Sequence, residues 1–204
     1  LQQPLFTPET EWVPPDRLPD LSSHSEIAID LETRDPNLMT MGSGSVRRDG
    51  EVVGIAVAVE GWSGYFPIAH EGGGNMDRAL VLDWFEEVLH TDATKIFHNA
   101  MYDVSWIRSL GFYINGGIID TMIAASLIDE NRFSYTLDSI GKDYIGMRKN
   151  ENLLKEAAKD FGVNPKAEMW RLPAPFVGEY AEKDAEMTLK LWHALQHEIT
   201  KQDL

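Results

Sequence analysis

The chain has 204 residues with ordinary apolar and charged fractions, enough to bury the core of one globular domain. Its formal net charge of −15 argues against a free-standing protein that grips nucleic acid tightly, because phosphate contacts come from Lys and Arg. It contains no cysteine, so disulfides and thiolate metal sites are excluded and an intracellular setting is expected.

In chain order, residues 1–24 read as an extended, Pro-rich lead-in around "VPPDRLPDL". "EIAID" is a short buried strand. "EVVGIAVAV" and "GYFPIAH" form an antiparallel pair, introduced by the Asp49-Gly50 turn and joined at Gly61 or Gly64. "DRALVLDWFEEVLH" places Leu80, Trp84, Phe85 and Leu89 at the spacing of an amphipathic helix. "TKIFHN" is a strand running into the helical "AMYDVSWIRSL", and "GGIIDT" a strand followed by the helix "TMIAASLIDE". Three further helices are expected near "TLDSIGKDYIG", near "NLLKEAAKDFG", and from about residue 176 to about residue 200. Hairpin strands followed by alternating strands and helices suggest a mixed α/β sheet with helices on both faces. No stretch reaches the roughly 20 apolar residues of a membrane span, and no signal peptide opens the chain. A start at Leu1 and a stop inside a helical pattern suggest part of a longer protein, with residues 25–204 as one domain.

The chemistry sits in acids. Asp-x-Glu occurs three times. Asp49 and Glu51 belong to a solvated turn, while Asp184 and Glu186 lie on a helix, where residues two apart point about 200° apart. Asp30 and Glu32 ride on a strand instead, share one face, and leave Ile27, Ile29 and Leu31 on the other. Asn99 and Asp103 span a strand-to-helix junction; taken alone, an Asn cap with an acid in the first turn explains them better than a functional role does. Tyr180 and Asp184 stand one helical turn apart on a stripe continued by the apolar Met187 and Leu191, unless that face is solvated. Four carboxylates gathered in one place would repel each other without a cation. Mg²⁺ or Mn²⁺, which favour oxygen ligands, would remove the conflict.

"IDLET", "HNAMYDV" and "YAEKDAEMT", in that order, resemble the three motifs of the DnaQ-like (DEDD) 3′→5′ exonucleases. The likeness covers about residues 26–195. It implies a ribonuclease H-like fold, with a mixed five-stranded sheet flanked by helices on both faces. It also implies two divalent metal ions, Mg²⁺ or Mn²⁺, on Asp30, Glu32, Asp103 and Asp184. Position 179 is Glu and not the histidine of one subfamily, whereas Tyr180 matches the tyrosine subfamily, whose hydroxyl helps position the attacking water. "IIDTMIAASLIDENR…YTLDSI" and "LWHALQHEITKQDL" are similar to the proofreading domains of bacterial and phage family A DNA polymerases. The implied substrate is then a single-stranded or frayed 3′ end of DNA, delivered by a polymerase domain beyond the C-terminal helix. That arrangement answers the charge objection. A monomeric fragment and a bacterial or host cytoplasm are the matching expectations. Leu31, Met101 and Tyr102 are expected against the terminal bases, with Asn99 donating a hydrogen bond near the last nucleotide. Arg34, Lys142, Arg148 and Lys149 are candidates for its backbone.

Two alternatives remain open: a free-standing ribonuclease D-like or DNA-end exonuclease, and a catalytically inactive module of the same fold. His193 and His197 have the spacing of zinc ligands but lack partners. His98 reads as a core or supporting residue. "GSGS" and "EGGG" lack the strand-to-helix setting of a phosphate loop.

Overall fold

The computed structural model describes residues 8–204, and residues 1–7 of the expected lead-in lie outside the described residues. The strand foreseen at "EIAID" extends from Glu26 to Arg34 (β1), because β2 (Glu51–Val59) pairs antiparallel with it as far as Arg34. The ladder slips between Glu32 and Thr33, a bulge directly after the second acid. Gly61, at φ 79°, turns the chain into β3 (Trp62–Pro67), which pairs antiparallel with β2. β4 (Thr94–Phe97) runs parallel to β1, and β5 (Ile118–Asp120) parallel to β4, giving a five-stranded sheet ordered β3-β2-β1-β4-β5.

Between β1 and β2 lie two single helical turns that the periodicity does not reveal, α1 (Leu38–Met41) and α2 (Gly44–Arg47). The Asp35 carboxylate accepts from Gly44 N at 3.0 and 3.1 Å, which fixes the second of them. The remaining helices are α3 (Arg78–His90), α4 (Ala100–Ser109), α5 (Thr121–Ile128), α6 (Leu137–Ile145), α7 (Asn152–Phe161) and α8 (Gly178–Gln202). Asp77, Asp120 and Thr136 cap α3, α5 and α6 through their side-chain oxygens.

The alternation of the strands decides which helix packs where. Ile27, Ile29, Leu31, Ile55, Val57 and Phe66 point to the face covered by α3 and α4, against Trp84, Phe85, Trp106 and Ile107. The opposite face is lined with small side chains, Ala28, Ala56 and Ala58, and there α8 brings Ala181 and Ala185 against them. Small residues on both sides let the helix backbone come close to the sheet. Asp30 and Glu32 share that face, so the same alternation aims both acids at α8.

Residues 8–25 contain no helix or strand, yet they are anchored. Trp12 lies over Gly178 at the start of α8, where an added Cβ would sit 2.0 Å from the indole, and its Nε1 donates to Glu182 at 2.9 Å. Trp84 Nε1 donates to the Pro19 carbonyl at 2.7 Å. Among the described residues no helix is long and apolar enough to cross a membrane.

Candidate active site

Three elements bring the four acids to one cavity of ≈ 600 Å³. Asp30 and Glu32 come from the middle of the sheet. β4 pairs with β1 only as far as Ala28, and beyond that point Asp103 of α4 takes the place of a strand. Its Oδ1 accepts from Leu31 N at 2.9 Å, so the amide between the two strand acids is tied to the third acid. Asp184 arrives from α8. Asp103 and Asp184 are 4% and 3% exposed, whereas Asp30 and Glu32 are partly open to the cavity.

Crowded and desolvated, these groups resist ionisation. Burial, then the Asp184 charge, pushes Asp30 up to about 7. Burial and Asp30 hold Glu32 and Asp103 well above the ordinary carboxylate range. Asp184 is raised by burial, against which the neighbouring Lys149 ammonium works. Lys149 forms an ion pair with Asp184 Oδ2 and donates to the Tyr180 hydroxyl at 3.1 Å. The other oxygen, Asp184 Oδ1, is buried with no hydrogen-bond partner among the described residues. In this arrangement no three of the acidic side chains, among the described residues, already converge on a single ion position.

The junction before α4 is built by a residue that the sequence reading missed. Asn99 has φ 69°, a left-handed conformation that asparagine tolerates, and its side chain makes no cap. Asp120, at the end of β5, accepts instead from Asn99 N at 3.0 Å and Ala100 N at 2.8 Å, besides capping α5 through Met122 N at 2.9 Å. An Asp before a helical run signals a cap for its own helix. That it also caps α4 depends on the parallel pairing of β4 and β5, which sequence alone does not supply.

The expected substrate contacts divide. Asn99 and Tyr102 line the cavity, and the Tyr102 hydroxyl bonds Thr33 Oγ1 at 2.7 Å and Asp35 at 3.2 Å. Leu31 also lines the cavity, although it is only 6% exposed and packs mainly in the core. Met101 is not among the residues lining the cavity. It is 84% exposed and faces the apolar surface formed by α4, β5 and α5, because neighbouring residues on a helix diverge by about 100°. Lys149 turns inward, whereas Lys142 and Arg148 are exposed and Arg34 pairs with Glu51 at 3.5 Å. His98 bonds Thr121 Oγ1 at 2.8 Å, and burial lowers it to about 4, so it stays neutral. His193 bonds Glu26 at 2.7 Å, at the start of β1 and away from the cavity that the carboxylates line.

A mixed sheet in this order, helices on both faces and an acidic cavity at the ends of β1 and α4 define a ribonuclease H-like nuclease fold. A family model described as 3′-5′ exonuclease matches residues 10–200, and the chain belongs to that family, the exonuclease domains of family A DNA polymerases. It is 39% identical over 217 residues to a DNA-directed DNA polymerase of Pseudomonas phage M6, a match covering 100% of this chain and 32% of the relative. It is 32% identical over 193 residues to DNA polymerase DpoZ of Salmonella phage PMBT28, covering 91% and 28%. The chain thus spans less than a third of either relative. Among solved structures, Brucella melitensis NrnC with bound Mg²⁺ shares the fold at TM-score 0.59 and 19% identity, over 94% of this chain and 81% of that one.

Proposed function

We propose that this domain removes mononucleotides from a single-stranded or frayed 3′ end of DNA, as the proofreading module of a polymerase acting in a bacterial cytoplasm. Asp30, Glu32, Asp103 and Asp184 would hold two divalent ions, Mg²⁺ or Mn²⁺. The observation that carries this reading is the buried, unpartnered Asp184 Oδ1 beside three further desolvated carboxylates. An all-oxygen donor set suits hard cations, and the Mg²⁺ bound in NrnC is in keeping with it. Such ions supply the charge that activates water and stabilises the leaving 3′ oxygen of a phosphodiester.

The chain's own residues supply the rest. Asp103 locks the strand between the two acids of β1 through Leu31 N. Tyr180, whose hydroxyl burial and Asp184 hold above its ordinary pKa, cannot serve as a base. Its oxygen accepts from Lys149 beside the Asp184 carboxylate, and from there the hydroxyl would help position the attacking water. Asn99, which makes no side-chain cap, would donate to the terminal nucleotide, and the Tyr102 ring would meet its base, since both line the cavity. Because the chain is strongly acidic, an attached polymerase would hold the duplex and deliver the frayed strand.

The test uses 5′-labelled single strands of DNA and RNA with Mg²⁺. A ladder shortening by one nucleotide at a time from the 3′ end, faster on DNA, is expected. The acids must ionise to hold metal, and their raised values place that change well above the usual carboxylate range. Activity should therefore be low near pH 5 and climb as pH rises through about 7. Internal cuts alone would sink the exonuclease assignment, and faster RNA shortening would sink the DNA one.

A further inference from the structure

Lys149 is placed with more care than a surface lysine requires. It lies between α6, which ends on Gly146 at φ 65°, and α7. Its backbone N donates to Asp138 Oδ1 at 2.9 Å, so the first turn of α6 pins the residue that carries the ammonium. The side chain is 19% exposed and crosses the cavity to Asp184 and Tyr180. Its charge also opposes the repulsion acting on Asp30 and Glu32, one element away. Lys166 lines the same cavity, but its side chain makes no hydrogen bond or ion pair among the described residues.

We infer that Lys149 is a built-in counter-cation. It pairs with Asp184 on that side of the site and must release the carboxylate before a divalent ion can use it, so it sets the metal concentration at which the nuclease turns on. The inference rests on the metal reading above and adds regulation to it. One feature favours it over a lysine held for stability alone. Asp184 keeps one oxygen unpartnered while the other is given to Lys149, so the carboxylate is only half used. A lysine stem has four rotatable bonds, so its head can leave the carboxylate without moving the backbone that Asp138 holds.

Mn²⁺ binding without nucleic acid, followed by calorimetry on native protein, Lys149→Met and Lys166→Met, tests this. The first variant should bind Mn²⁺ at least about tenfold more tightly, and Mn²⁺ should raise its Tm by more than it raises the native Tm. Lys166→Met should bind as native does. Equal affinity in native and Lys149→Met overturns the inference while leaving the metal site standing; equal tightening in both variants overturns it as a mere field effect. Failure of all three proteins to bind Mn²⁺ overturns the metal reading, and this inference with it. Should Lys149→Met not fold, the side-chain NH₃⁺ resonance of Lys149 in the native protein gives the answer. It should shift as Mg²⁺ saturates the site, and an unchanged resonance overturns the inference.

Discussion

Asp30→Ala should lower the nuclease rate by at least about a thousandfold, or roughly 4 kcal/mol of lost transition-state stabilisation, while leaving the metal-free fold at least as stable as the native one. The two halves of that expectation have a common cause. Asp30 is desolvated beside Asp184, and its raised value of about 7 means that ionising it works against folding. Its stabilising contribution is full while it is protonated, below about pH 4, and is lost as pH rises to about 7. Alanine removes that burden at neutral pH and, with it, a carboxylate proposed to hold metal. Initial rates on a labelled strand and the Tm in EDTA at pH 8 check both parts. Activity and stability falling together would instead make Asp30 a structural residue.

Ala56→Leu should be nearly as damaging, although Ala56 is not proposed to touch substrate or metal. It stands opposite Asp30 on β2 and opposite Tyr65 on β3, on the face where α8 packs. Bulk added there must push α8 from the sheet, at about 1–3 kcal/mol for overpacking. α8 carries Asp184 and Tyr180, so the same displacement separates them from the β1 acids. A misplacement of about 1 Å costs on the order of a hundredfold in rate. Tm and the rate per folded molecule should therefore both fall. A rate per folded molecule equal to the native one would show that close packing of α8 is not what positions Asp184.

Much of this arrangement was legible beforehand because it follows from local periodicity. Alternation put Asp30 and Glu32 together on one face, and a one-turn spacing put Tyr180 and Asp184 together on α8. The strand-helix alternation from residue 94 onward already implied the parallel half of the sheet. What escaped depends on contacts between distant segments. Asp120 reaches the N-terminus of α4 only because β5 lies beside β4. Lys149 is one of three basic residues in the stretch 142–149, and nothing local tells which one turns inward; Asp138 decides it. Met101 and Tyr102 were grouped as neighbours in sequence, but the helix sends one to the apolar surface and the other to the cavity. Leu31 packs in the core, as the alternation implied, and also reaches the cavity lining.

The central claim is that the four carboxylates form a site for divalent ions, and anomalous scattering from crystals soaked in Mn²⁺ tests it most directly. The expected map has two peaks about 3.5–4 Å apart among Asp30, Glu32, Asp103 and Asp184, with one touching both Asp30 and Asp184. Saturated crystals with no peak among these acids, or with manganese only at His193 and His197, would contradict it.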